Sequence, residues 1–190
     1  MVIDTKEHMF LIFGGNMMNL DKIVTDLYTV HGITDIGDLN PISISKNLEI
    51  ETHYYDEGSE ALIFEGKKYI FLNKNLDIEE MWFQFCHELG HLQLHCGNQM
   101  QFLGTPADSF VSFQEMKANR FALLACAPTF ILDDYKVFNM NIAKAERFVK
   151  EKCLMNEYRA VKRLREYERL HASTNGNIVY KGGETNGVIS

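Results

Sequence analysis

His87-Glu88-Leu89-Gly90-His91 is the stretch on which the reading of this chain turns. On a helix, positions i and i+4 are rotated about 40° apart and separated by roughly 6 Å of rise, so both imidazoles reach one metal ion. A glutamate between them can serve as general base. Three fixed residues are only moderately specific, so the surrounding sequence has to carry the argument. Asp77-Ile78-Glu79-Glu80 offers an N-cap with an acid three residues on, which suits the free N–H groups of a helix start. Apolar residues recur at Ile78, Trp82, Phe85, Leu89, Leu92 and Cys96, with His87 and His91 beside the stripe, and Gly97 supplies a stop. The spacing predicts one amphipathic helix over 78–96 with separate core and chemical faces.

A catalytic zinc site wants three protein ligands and an open position. His95 lies two turns beyond His87, about 12 Å along the axis, too far for those two to share an ion; lining the cleft or supporting a ligand is the role left to it. Glu115 is the better third ligand. In Ser112-Phe113-Gln114-Glu115-Met116-Lys117-Ala118-Asn119-Arg120-Phe121-Ala122, a helix places Glu115, Asn119 and Ala122 on one face: a carboxylate, an amide and a small residue that lets another helix approach. Asn119 suits a supporting role, accepting from the far ring N–H of a ligand histidine. Ser112 and Glu115 also have the spacing of a capping box, which is the plain alternative.

Taken together, His87-Glu88-Leu89-Gly90-His91 and Glu115-x-x-Ala118-Asn119-x-Phe121-Ala122 resemble the ImmA/IrrE group of small zinc metallopeptidases, many of them carried by phages and other mobile elements. The likeness covers roughly residues 40–130, including the extended run Tyr69-Ile70-Phe71-Leu72-Asn73 before the metal helix. It implies an α+β, zincin-like fold, with a short antiparallel or mixed sheet packed on the His-Glu-x-x-His helix and helices following. It implies Zn2+ held by His87, His91 and Glu115, with Glu88 as catalytic acid/base. It further implies a helix-turn-helix repressor as substrate, removed by cleavage.

At 190 residues and 46% hydrophobic, the chain is long enough for one domain with an appendage. Its net charge of -7 argues against a protein that coats nucleic acid. Cys86, Cys96, Cys126 and Cys153 form no C-x-x-C pair, as expected of reduced, buried thiols in a cytoplasm. The apolar run Met9–Phe13 is too short for a signal peptide and follows Asp4 and Glu7, and no later stretch reaches membrane-spanning length. The oligomeric state is left open.

Along the chain, residues 1–18 read as an extension, 19–130 as the zincin-like domain, 131–171 as a C-terminal helical region and 172–190 as a flexible tail. A helix is expected from Asn19 or Asp21 to about Val30, with Leu20, Ile23, Val24 and Leu27 inward. Pro41 marks a break, after which Ile42–Lys46, Leu48–Tyr55 and Ala61–Glu65 read as strands; Gly66-Lys67 turns the last into Lys68–Asn73. One edge of this sheet can receive an extended substrate, and Tyr54, Tyr55 and Tyr69 are candidates to donate to an oxyanion. Residues 97–106 form a loop between the two metal helices, and Pro128 ends the second.

Residues 141–171 read as two helices, 142–149 and 156–170, reminiscent of helix-turn-helix, and residues 150–171 hold seven Lys or Arg against four Glu. Leu154, Tyr158, Val161 and Leu164 are expected inside, with Arg159, Lys162, Arg163 and Arg165 on the wet side. Such a surface docks the repressor, contacts DNA, or is a solvated packing helix. Three functions follow: a zinc endopeptidase acting on a repressor, a non-proteolytic zinc-stabilised anti-repressor, or a DNA-binding module.

Overall fold

The computed structural model describes residues 19–94 and 107–174, with side chains from 111 to 172 in the second stretch. His95, Cys96, the 97–106 loop, residues 1–18 and residues 175–190 lie outside the described residues. Helix α1 spans Leu20–Val30, started by Asn19, whose side chain accepts from Lys22 N–H, and it buries Leu20, Val24 and Tyr28. Gly32, at φ 71°, turns the chain in a conformation that disfavours any Cβ. A single 3-10 turn, Ile36–Asp38, leads to α2, Pro41–Asn47.

That short helix corrects the strand expected over Ile42–Lys46. The alternation Ile42-Ser43-Ile44-Ser45 imitates a strand, but only Ile44 enters the core, while Ile42 is 78% exposed. Asn40 caps the segment through Ser43 N–H at 2.9 Å, and Pro41 takes the first helical position, where its missing N–H costs nothing.

Three strands follow: β1 (Ile50–Tyr55), β2 (Glu60–Phe64) and β3 (Lys67–Asn73), in spatial order β1-β3-β2. β2 and β3 form the expected antiparallel hairpin, with Glu65 and Gly66 both at positive φ, 48° and 78°, which matches the twist of a tight hairpin. β1 pairs with β3 in parallel, Ile50 opposite Lys68 and Leu72 opposite Tyr54. Ile50, Ile70 and Leu72 turn to the core.

Helix α3, Ile78–Leu94, crosses next to the sheet. Asp77 caps it, accepting from Glu80 N–H at 2.8 Å, but the Glu80 carboxylate turns away to Arg159 instead of closing the box. Trp82, Phe85, Leu89 and Leu92 are buried; Ile78, in the first turn, is 67% exposed because the helix meets its neighbours only one turn later. Helix α4 is Ala107–Cys126, and Pro128 separates it from α5, Thr129–Asp134. A 3-10 turn, Val137–Asn139, precedes α6, Ile142–Lys152, and α7, Glu157–Thr174. The fold is thus α+β and zincin-like, with a small mixed sheet beside the metal-motif helix and a helical C-terminal half.

The α6–α7 region shares the main core through Ala145, Val149, Met155, Leu164 and Tyr167. Its inward face differs from the one expected. Tyr158 is 75% exposed, whereas Ala160, Arg163, Leu164 and Tyr167 face in. Arg163, expected in solvent, is fully buried: Nε donates to Ala127 O at 2.8 Å and Nη2 to Thr129 Oγ1 at 2.8 Å. Ala127 lies in the break between the end of α4 at Cys126 and the helix capped by Pro128, and its carbonyl takes the hydrogen bond of this buried cation, a tertiary need that periodicity does not register. Arg159 is mostly covered too, held bidentate by Glu80 at 2.6 and 3.0 Å and stacked 3.6 Å over the Phe83 ring. Trp82 Nε1 donates to Cys153 O at 3.0 Å, tying α3 to the turn before α7. Cys86, Cys126 and Cys153 are free and buried. No helix among the described residues is long and apolar enough to cross a membrane.

Candidate metal centre

His87 and His91 leave α3 on the same side, one turn apart, and their Nε2 atoms come to 3.0 Å from each other. Glu115 reaches them from α4, Oε2 to His87 Nε2 at 3.2 Å and Oε1 to His91 Nε2 at 3.3 Å. Tetrahedral zinc with ligand bonds of about 2.0–2.1 Å sets its donors about 3.3 Å apart along each edge of the tetrahedron. Each of the three contacts is near that edge length, the two histidines meeting different oxygens of the one carboxylate. Among the described residues this is the one group of His, Cys, Asp and Glu donors tight enough to hold a metal ion. The capping-box alternative for Glu115 fails, because α4 begins at Ala107 and Ser112 lies inside it.

Close approach of α3 and α4 makes this convergence possible. Gly90 sits at the crossing: a Cβ there would lie 3.1 Å from Phe121 Cδ1 and 3.3 Å from Ala118 Cα. Ala118 and Ala122 are fully buried on the facing side. Small residues set the helix separation, and the separation sets the reach of Glu115. Ala122 was legible as a close-packing residue; Gly90 was not assigned that role, although a glycine inside a helical pattern is the signal for it.

Burial lowers the pKa of His87 from its ordinary 6.5, while Glu115 and Asn119 beside it pull the other way. Burial favours the neutral imidazole, which is the ligating form. Its Nδ1 is buried with no hydrogen-bond partner. Asn119 donates its own amide N–H to Glu115 O at 2.9 Å and stands next to His87. Glu88 is buried, 6% exposed, and burial pushes its carboxyl up to about 7, with the charges of Glu115 and then Glu60 adding to the effect. A cation at the triad would offset the Glu115 contribution.

The sheet also reaches the site. Edge strand β2 packs against α3, and the charge of Glu60 on that strand adds to the rise of the Glu88 carboxyl. Glu60 gave no sequence signal, since only the hairpin brings it there. Tyr55 gives its hydroxyl to Gly58 O, and Tyr69 lies against Phe71 and His53 on the sheet.

A model of the peptidase family of IrrE N-terminal-like domains matches residues 45–153, which include all three donors and Glu88. The chain belongs to the ImmA/IrrE family. Among curated proteins, it is 36% identical over 119 residues to the phage-like element PBSX protein XkdA of Bacillus subtilis (strain 168), covering 63% of this chain and 58% of that protein. It is 31% identical over 101 residues to the uncharacterized immunity region protein 2 of Bacillus phage phi105, covering 51% of this chain and 64% of the relative. The uncharacterized protein YqaB of Bacillus subtilis is 27% identical over 114 residues, again 64% of the relative's length. The matched stretch therefore spans about three fifths of each of these ImmA/IrrE relatives.

Proposed function

We propose that this ImmA/IrrE protein is a zinc-dependent endopeptidase that inactivates a phage-type helix-turn-helix repressor in the cytoplasm and so derepresses the genes of a mobile element. The observation that carries the reading is the convergence of His87, His91 and Glu115 beside buried Glu88, at the spacings a tetrahedral ion requires. Membership of a peptidase family and relatives named for a phage-like element and a phage immunity region support it.

His87, His91 and Glu115 would hold the zinc, which when bound would supply Lewis acidity and make a water acidic near neutrality. Glu88 then takes the proton from the attacking water on its carboxylate and returns it to the leaving amine. Its buried position suits both halves of that task, because burial, the largest cause raising its carboxyl, keeps that group able to return the proton it takes. No acyl-enzyme is needed, so the buried cysteines are spectators. Edge strand β2 offers main-chain groups to an extended substrate lying past Glu88.

Glu88→Gln tests the reading. Co-expressed with the repressor encoded beside its own gene, the native chain should generate a new repressor terminus detectable by mass spectrometry; the variant should bind metal equally and generate none. Derepression that survives the change intact would transfer the function to a non-proteolytic anti-repressor.

A further inference from the structure

Away from the sheet, α4 and α7 diverge around an open groove of about 1180 Å³. Small-molecule pockets occupy about 300–1,000 Å³ and enclose their ligands, so a larger open trough suits a length of polypeptide. Its floor is apolar, with Leu123 and Phe83 at 3% and 7% exposure. Along the α7 wall Tyr158, Lys162, Arg165 and Arg169 follow at i, i+4, i+7 and i+11 and share one helix face. Tyr158 on that wall is 75% exposed, and Met116 on the opposite wall, from α4, is 57% exposed. Two cations at the rim are already engaged, Arg120 with Glu166 at 2.6 Å and Arg159 with Glu80 at 2.6 Å. Lys162 and Arg165 are exposed and meet no carboxylate among the described residues. Asn119, which lines the groove, also stands beside His87.

We propose that this groove seats an acidic amphipathic segment of the protein's macromolecular partner, carboxylates on Lys162 and Arg165 and apolar side chains against Met116 and Tyr158. The inference rests on the peptidase reading for the identity of the partner, not for the binding. Charge complementarity selects the occupant: a chain of net charge -7 keeps a cationic rim here, and a rim of that sign over an apolar floor fits a helix with one acidic and one greasy face. Duplex DNA fits poorly, because its phosphates gain nothing from Leu123 and Phe83 and two of the cations are spent on Glu80 and Glu166. Residues 175–190 contain one Lys and one Glu, so the chain's own tail lacks the acidic excess.

The probe is a fluorescein-labelled amphipathic peptide about four helical turns long, Glu on one face and Leu on the other, with a Lys-for-Glu peptide and a duplex DNA as controls. Anisotropy titrations use the full-length Glu88→Gln protein, with and without EDTA, so binding is read apart from any chemistry. The acidic peptide should bind at least about tenfold more tightly than the Lys peptide, and weaken as salt rises. Lys162→Glu with Arg165→Glu should abolish that preference, and the milder Lys162→Gln with Arg165→Gln should reduce it; Met116→Ser should weaken binding while leaving its salt dependence in place. Equal affinity for the two peptides overturns the proposal. So does tighter binding of the duplex that the same charge changes remove, or a dimer in sedimentation that those changes dissociate. Binding that persists while native protein cleaves nothing leaves the groove standing and refutes only the peptidase reading.

Discussion

Toward α3, helix α4 offers Ala118 and Ala122 against Gly90, and the backbones approach until a single added methyl group would crowd Phe121 and Ala118. Toward α7 the same helix offers Met116, Arg120 and Leu123, and the two helices part around a groove. The two faces lie about two fifths of a turn apart around one helix axis. Side-chain size makes the difference. Where both partners are small, the helices lock and hold the donors of His87, His91 and Glu115 close enough to share one metal ion. Where they are large and charged, the surface stays open. A hydrolytic centre needs fixed distances, whereas a surface that takes up a flexible chain needs room and charge.

Breaking the close face at its purpose should have the largest effect. Glu115→Ala removes a direct donor, and since losing a residue that merely supports a ligand costs about 10–100-fold in metal affinity, losing the ligand itself should cost more than about a hundredfold. Metal content after dialysis, measured by elemental analysis, checks this, and protein that keeps stoichiometric zinc would contradict the centre.

The open face depends on α7 being anchored, and Arg163 is the anchor. Arg163→Ala leaves Ala127 O and Thr129 Oγ1 without their donor in a buried place and should cost about 3 kcal/mol in urea unfolding. A loss within experimental error of zero would mean that α7 is held by its apolar contacts alone.

Gly90→Val sharpens the comparison directly, because it enlarges only the close face. Overpacking should cost about 1–3 kcal/mol, with zinc affinity falling as Glu115 is pushed back. Gly90→Ala is the finer version: the gain of about 1 kcal/mol in helix propensity offsets the crowding, so stability should hold nearly constant while metal affinity drops. Equal zinc affinity in all three proteins would show that the helix separation does not set the site.

The smallest effect belongs to the pair that joins the faces. Hydrogen bonding from Arg159 holds the Glu80 carboxyl below its ordinary 4.5. A group depressed on folding contributes its stability fully above its unfolded pKa and loses it as pH falls through the folded value. Thermal stability of the native protein should therefore decline as pH drops below 4.5, and Glu80→Gln should be less stable by about 1 kcal/mol near neutrality yet decline less on acidification. Parallel melting-temperature profiles for the two proteins would discount the pair.

Local chemistry was legible wherever a feature depends on neighbours in the chain. The i, i+4 histidines, the Asp77 cap, the hairpin, whose turn was expected at Gly66-Lys67 and falls one residue earlier at Glu65-Gly66, and the stop at Pro128 each follow from backbone geometry over a few residues. The likeness of two short motifs to a known family extended that reading to Glu115. Ile42–Lys46 misled because an Ile-Ser alternation counts as a strand only if one face is buried, and burial is decided by what folds against it. Arg163 misled for the same reason in reverse: an arginine reads as solvent-facing until the fold presents it with an unpaired carbonyl. Sequence alone determined which residues can bind a metal, cap a helix or turn a strand, since these are properties of a few adjacent side chains. Tertiary structure alone decided which charges are buried, that Gly90 is the crossing point, and that α4 closes on one neighbour and opens toward another, because each of these is set by distances between segments far apart in the chain.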